Sequence, residues 1–425
     1  MRCFADFAWV GGRVERNVAI EVSDGRFTSV TAGAAPAGTR LHGLVLPGFA
    51  NAHSHAFHRA LRGRTHDDRG SFWTWRERMY AVAARLDPDS YYALARAVYG
   101  EMALAGITSV GEFHYLHHGP DGTPYADPNA MGNALIAAAE DAGIRITLLD
   151  TLYLTSSVDG RPLEGVQRRF GDGDADQWHS RRSALATQAS HAIVGAALHS
   201  VRAVPTSALA SCTGIAPLHI HLSEQRAEND QCHAVHGCTP TELLDRHGLL
   251  GPGTTAVHAT HLTDGDIRLL GNSGTGVCVC PTTERDLADG IGPARALADA
   301  GSPLSLGSDS HAVIDPFEEA RGLELDERLA TERRGHFTPA ELIRAATAHA
   351  ALGWQDAGEI AVGKRADLVA VSLNSVRTAG SDPTGLVYAA TNADVTDVIV
   401  DGRAVVTDRH HTNFDVAPAL RAVLS

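Results

Sequence analysis

A chain of 425 residues, 44% hydrophobic and 20% charged, carries enough apolar mass for one large α/β barrel with a small appendage and reads as soluble and globular. Its formal charge of −14 argues against a nucleic-acid footprint, and with no run of ~18 apolar residues and an N-terminus interrupted by charge, neither a membrane span nor an export signal is expected. The six cysteines, Cys3, Cys212, Cys232, Cys238, Cys278 and Cys280, are too few and too scattered for a disulfide framework, so a reducing cytoplasm is the expected compartment.

Residues 1 to about 43 alternate apolar and polar positions around Gly and Asp turns, as in Val18-Ala19-Ile20-Glu21-Val22 followed by Ser23-Asp24-Gly25, and predict antiparallel hairpins. The same texture returns at 363–371 and 395–402. The two ends are therefore expected to pair into one small β-sandwich domain, with 1–46 and 358–425 its two parts and 47–357 the barrel. Along that middle, eight short apolar runs lie near 44–49, 107–113, 145–150, 193–199, 217–222, 254–258, 276–280 and 303–308. Helix-length amphipathic segments alternate with them, for example 90–105 and 129–142, the latter ending at Gly143. Eight strand–helix units make a (β/α)8 TIM barrel the economical architecture. The Gly- and Asp-rich stretches 157–180 and 281–295 read as loops, the second placed to act as a mobile lid.

His53, Ser54 and His55 directly follow the first apolar run. Two imidazoles at i and i+2 on a strand end share a side and can reach one ion. His199, His221, His258 and Asp309 each close a later run, and barrel active sites sit at the carboxyl ends of the strands. One such histidine is usually a satisfied, half-buried imidazole, and Asp309 within Ser308-Asp309-Ser310 could simply cap a turn. Four or more in order at strand ends favour a common site. His53, His55, His221 and Asp309 around an ion leave room for a water molecule, which the ion would acidify. Glu224, three residues beyond His221, is placed as general base, although a helix-start Glu complementing the dipole is the plain alternative. His258 would orient the water or stabilise developing charge. Cys232, His233, His236 and Cys238 fit no closed zinc template and read as an incidental helix surface, and Cys278 and Cys280 read as small buried hydrophobes.

Pro47-Gly48-Phe49-Ala50-Asn51-Ala52-His53-Ser54-His55, His221-Leu222-Ser223-Glu224, His258, Ser308-Asp309 and the C-terminal Gly363-Lys364-Arg365-Ala366-Asp367-Leu368-Val369 together resemble the amidohydrolase superfamily, in its mononuclear deaminase branch. Binuclear relatives bridge two metals with a carbamylated lysine from mid-barrel, but Lys364 is the chain's only lysine, so one divalent ion is expected, zinc first, with iron and manganese tolerated by the same donors. The segments 51–57 and 72–80, Gly111-Glu112-Phe113-His114-Tyr115 and His199-Ser200-Val201-Arg202 are similar to the N-formimino-L-glutamate deiminases of histidine degradation. That resemblance implies hydrolysis of the formimino carbon with release of ammonia, Glu224 and His258 activating the water, and a homodimer.

A small dicarboxylate calls for bidentate donors in an acidic protein, which assigns Arg76 and Arg202, with Tyr115 and His199 as further donors. Trp73 and Trp75 are read as core. One departure stands out: these deiminases carry Gln three residues after the second metal histidine, and here it is His58. His58 joins the substrate-binding set and bears on which substrate is taken. The alternative is a deaminase of a nucleobase, a nucleoside or another small C=N compound on the same fold. A binding protein that had kept only the barrel would be expected to have lost metal ligands, and here all are present.

Overall fold

The computed structural model describes residues 1–66, 70–185 and 189–424. Two eight-stranded sheets organise them. The first comes from both chain ends, in the order His410–His411, Arg403–Thr407, Val395–Val400, Leu368–Val371, Thr39–Pro47, Arg2–Val10, Arg13–Ser23 and Arg26–Thr31. The ends meet where Thr39–Pro47 runs antiparallel to Leu368–Val371, with Leu46 opposite Val369. One face of this sheet buries Val18, Ile20, Val45, Leu368 and Ile399 as a core of its own.

The second sheet is the barrel, with every neighbouring pair parallel and in sequential order. Its strands are β1 (Phe49–Ser54), β2 (Ile107–His114), β3 (Arg145–Leu152), β4 (Ala192–Leu198), β5 (Leu218–Leu222), β6 (Thr254–His258), β7 (Gly276–Val279) and β8 (Leu304–Leu306). Helices cover the outside, as parallel sheets require. Pro88–Leu104 starts on an Asp87–Ser90 capping box with Pro at its first turn, and Leu94, Val98 and Met102 form its buried stripe. Ala130–Ala142 stops at Gly143, whose φ of 72° is the left-handed cap that glycine adopts without strain.

Three expectations need correction. The apolar run 44–49 is not one strand: Leu44 to Pro47 belong to the small sheet, and β1 begins at Phe49. Gly48 lies between them, and a Cβ there would stand 2.3 Å from Thr108 Oγ1 and 2.8 Å from Asp367 Cβ, so the chain can pass this crowded junction only without a side chain. Segment 157–180 is not all loop, since a turn at Gly165–Arg169 and the start of the helix Ala175–Ala184 lie in it. Segment 281–295 likewise is not all loop: it holds the helix Pro281–Asp286, with Pro at its first position and the Thr282 N–H given to Glu319 at 3.0 Å, and the start of the helix Ala294–Ala300.

The sheets are fastened by Arg145 at the start of β3, whose guanidinium grips both oxygens of Asp367 with the two side chains only 1% exposed. The barrel closes between β1 and β8 by a bridge of Ser54 with Asp309. There the Asp309 N–H donates to His53 O at 3.0 Å and the His55 N–H to Asp309 O at 3.3 Å. Below this seam Asn51 accepts the Ser308 N–H at 2.9 Å and donates to Ser308 Oγ at 2.7 Å.

Candidate active site

At the carboxyl end of the barrel His53, His55, His221 and Asp309 converge, all buried. The Nε2 atoms of His53 and His221 are 3.1 Å apart and those of His55 and His221 3.4 Å, while Asp309 Oδ1 lies 3.3 Å from His53 Nε2 and 3.4 Å from His55 Nε2. Two of the rings are held from behind: His55 Nδ1–H donates to Phe113 O at 2.9 Å and His221 Nδ1–H to His199 O at 2.8 Å. That fixes the tautomer and turns bare Nε2 lone pairs toward one another. Burial pushes the imidazoles down, His55 to about 3, so they stay neutral. Burial works against the Asp309 carboxylate, but the His53 hydrogen bond and the nearby His258 hold it below the usual range. The two fixed inward lone pairs of His55 and His221 beside an anionic oxygen and a third imidazole are opposed unless a cation sits among them, and the donor set therefore fits a divalent ion.

The backbone here is strained. Ser223, His258, Ala259, Asp309 and His311 all have positive φ, from 39° to 68°, without being glycine. Such clusters persist where surrounding structure over-determines them, as at functional sites.

Glu224 and His258 face this group. Glu224 Oε1 is 3.9 Å from His258 Nε2, and Asp309 Oδ2 is 3.7 Å from the same nitrogen. Burial raises the Glu224 carboxyl despite the opposing pull of His258 and Arg202, which brings it toward the range useful for proton transfer.

A cavity of about 210 Å³ opens above, with His55, His58, Arg76, Tyr115, His199, Arg202, Glu224, His258 and Asp309 all on its wall. Every substrate-binding residue expected from the sequence is thus brought to one space. Arg76 stacks over Trp73 at 4.5 Å rather than pairing with Glu101, which holds Arg59 and Arg62 instead. Arg202 lies 3.7 Å from Glu224 and 3.6 Å from Glu228. Among the described residues the Nε atoms of both arginines are buried without a hydrogen-bond partner. His58 Nε2 is 2.9 Å from the Tyr115 hydroxyl. Trp73 and Trp75, read as core, line the cavity as well, with Trp73 40% exposed.

Sequence reasoning missed several members. Glu284 accepts from His258 Nδ1 at 3.3 Å, and its signal was available as the Pro281-x-x-Glu284 pattern of a helix start. Glu228, four residues beyond Glu224 in the first turn of the helix Arg226–His236, is buried beside Arg202 and pushed up to about 7. Another histidine–carboxylate group, His114, His117 and Asp150, lies close by, but Arg181 already grips both oxygens of Asp150 at 2.7 and 2.9 Å and supplies the positive charge. Cys232 and Cys238 point inward while His233 is exposed, in keeping with an incidental surface.

The profile of the amidohydrolase family matches residues 44–405. The chain belongs to the amidohydrolase family. A formimidoylglutamate deiminase of Pseudomonas aeruginosa is 38% identical over 96% of this chain and 95% of its own length. The crystal structure of an amidohydrolase from Brucella melitensis superposes with a TM-score of 0.90 at 32% identity, covering 100% of this chain and 98% of its own. An adenosine deaminase from Xanthomonas campestris, solved with bound zinc, gives a TM-score of 0.84 at 26% identity over 99% and 96% of the two chains. This amidohydrolase is thus a hydrolase of C–N bonds in a family of deaminases. Among its described residues no helix is long and apolar enough to cross a membrane.

Proposed function

We propose that this enzyme hydrolyses N-formimino-L-glutamate to N-formyl-L-glutamate and ammonia. The observation that carries the reading is the pair of half-buried guanidiniums, Arg76 and Arg202, which border the same small cavity as Glu224 and the His–Asp group and whose Nε atoms donate no hydrogen bond among the described residues. Two fixed cations are what a short dicarboxylate needs. At about 210 Å³ the cavity also falls below the ~300–1,000 Å³ of drug-sized ligand sites, which favours a slender substrate over a nucleoside.

In this reading His53, His55, His221 and Asp309 hold one divalent ion, zinc first. When bound, the ion supplies Lewis acidity that makes water a nucleophile near neutral pH. Arg76 and Arg202 each take a substrate carboxylate, and His58, Tyr115 and His199 add neutral donors. Glu224 removes one proton of the attacking water as its oxygen bonds to the formimino carbon and delivers it to the imino nitrogen, then passes the remaining hydroxyl proton to the same nitrogen as the C–N bond breaks, the C=O forms and ammonia leaves. His258, anchored through Nδ1, presents Nε2 to the charge developing at that carbon. The working form is read as a cytoplasmic homodimer that engages neither nucleic acid nor membrane.

The aromatic wall of Trp73, Tyr80, Tyr153 and Phe170 would suit a planar heterocycle and supports the second reading, a nucleobase or nucleoside deaminase. Ammonia release from formimino-glutamate, formimino-aspartate, guanine and cytosine by the metal-replete enzyme separates the two. Turnover of guanine or cytosine without turnover of formimino-glutamate would remove the first reading.

A further inference from the structure

Asp309 divides its two oxygens. Oδ1 serves the three-histidine group, whereas Oδ2 faces His258 Nε2 at 3.7 Å. His258 shares one part of the arrangement of His55 and His221, an Nδ1–H held from behind, here by Glu284, while its Nε2 faces the carboxylates of Asp309 and Glu224. Beside this pair is Cys280, fully buried directly after β7, whose thiol lies with a His258 nitrogen and an Asp309 oxygen in a set of donors all within 4.8 Å of one another. Glu224 Oε1, 3.9 Å from His258 Nε2, can supply a further oxygen. Nitrogen, carboxylate and sulfur together select a thiophilic divalent cation such as zinc or cadmium.

We infer that His258, Cys280 and Asp309 form a second, inhibitory site for a thiophilic divalent metal, joined to the first through the Asp309 carboxylate. Binding breaks the Cys280 S–H and His258 Nε2–H bonds, releases both protons to solvent and forms metal–thiolate and metal–imidazole bonds. Occupancy takes His258 out of use and engages Glu224, so the inhibitory half rests on the roles given those residues under the proposed function. The binding half does not. No lysine is involved, which separates this site from a carbamate-bridged pair.

The test is a titration of enzyme preloaded with one equivalent of zinc, using cadmium as the probe in wild type, Cys280→Ser and Cys278→Ser. Bound metal, ultraviolet thiolate-to-cadmium charge transfer and ammonia release are followed together. Expected is a second equivalent with a charge-transfer band and falling activity in wild type and Cys278→Ser. Cys280→Ser should keep its first ion and bind the second about tenfold or more weakly, without the band. A wild type that stops at one equivalent, or a band that persists in Cys280→Ser, overturns the site. A second equivalent that leaves turnover unchanged overturns the inhibitory assignment. Should Cys280→Ser fail to fold, the wild-type stoichiometry and band still decide the matter. If no substrate of the panel is turned over, stoichiometry and band judge the site independently of the proposed reaction.

Discussion

His258 Nδ1 and Glu284 Oε1 stand 3.3 Å apart, and the same oxygen accepts the Cys280 N–H at 2.8 Å. One buried carboxylate therefore fixes both the tautomer of His258 and the start of the helix Pro281–Asp286. Glu284→Ala should lower kcat roughly 10–100-fold while KM changes little, because the lost interaction orients a group rather than binding substrate. Glu284→Gln keeps an acceptor oxygen and should recover part of the loss. Steady-state kinetics of the two variants check this, and a change confined to KM would count against it.

Glu224→Gln should retain the metal and the fold while kcat falls roughly 10²–10⁴-fold, the usual scale for removing a general base. Metal content measured beside kcat separates this from loss of the ion. A near-normal rate would take Glu224 out of the proton-transfer role.

Asp309→Ala removes the oxygen that faces His53 and His55 at 3.3 and 3.4 Å and leaves three neutral imidazoles. Metal retention through dialysis against a chelator should drop by an order of magnitude or more, and turnover with it. Retention equal to wild type would mean that the histidines alone hold the ion.

Arg202→Ala and Arg76→Ala should each raise KM for a dicarboxylate roughly 10–100-fold, and lysine should restore little of it, since a point charge does not reproduce a bidentate fork. Arg202→Ala also leaves Glu228 without its cation, so Arg202→Ala/Glu228→Gln should be more stable than Arg202→Ala alone. Unchanged affinity after Arg202→Ala would favour a heterocyclic substrate.

Glu112 accepts the Ala56 N–H and the Ser54 hydroxyl, each at 2.7 Å, and burial pushes it up to about 7. A carboxyl raised on folding is a cost that is absent below its unfolded value of ~4.5, grows between there and 7, and is constant above. Glu112→Gln should therefore match wild-type stability near pH 4.5 and exceed it by about 1–3 kcal/mol at pH 8. Urea unfolding at the two pH values checks the sign, and a gain limited to low pH would reverse it.

Much of this was legible because strand ends announce themselves. His53, His55, His221, His258 and Asp309 each terminate an apolar run, and a parallel barrel sends all such ends to one mouth. What stayed hidden acts through backbone or across long separations. The carbonyls of Phe113 and His199 set two tautomers, yet a carbonyl carries no residue signature. Glu284 lay in a stretch whose glycines suggested a loop, although only residues 281–286 decide its conformation. Trp73 and Trp75 were assigned to the core on bulk alone, since the turn that brings their helix over the mouth depends on the whole barrel. The run 44–49 misled because a continuous apolar stretch does not show that the chain changes sheets at Gly48.

The seam where Ser54 meets Asp309 has a consequence for how the protein comes into being. His53 and Asp309 are 256 positions apart, so a ribosome must emit all eight barrel strands, about three-quarters of the chain, before the last member of the His–Asp group exists. Until then β1 offers an open edge, and the nascent chain must be shielded from pairing with other chains. Under the proposed metal-bound form, ion capture and ring closure become one late event, and a cell short of metal is expected to accumulate barrels with a weakened final joint, exposed to proteases at that place first.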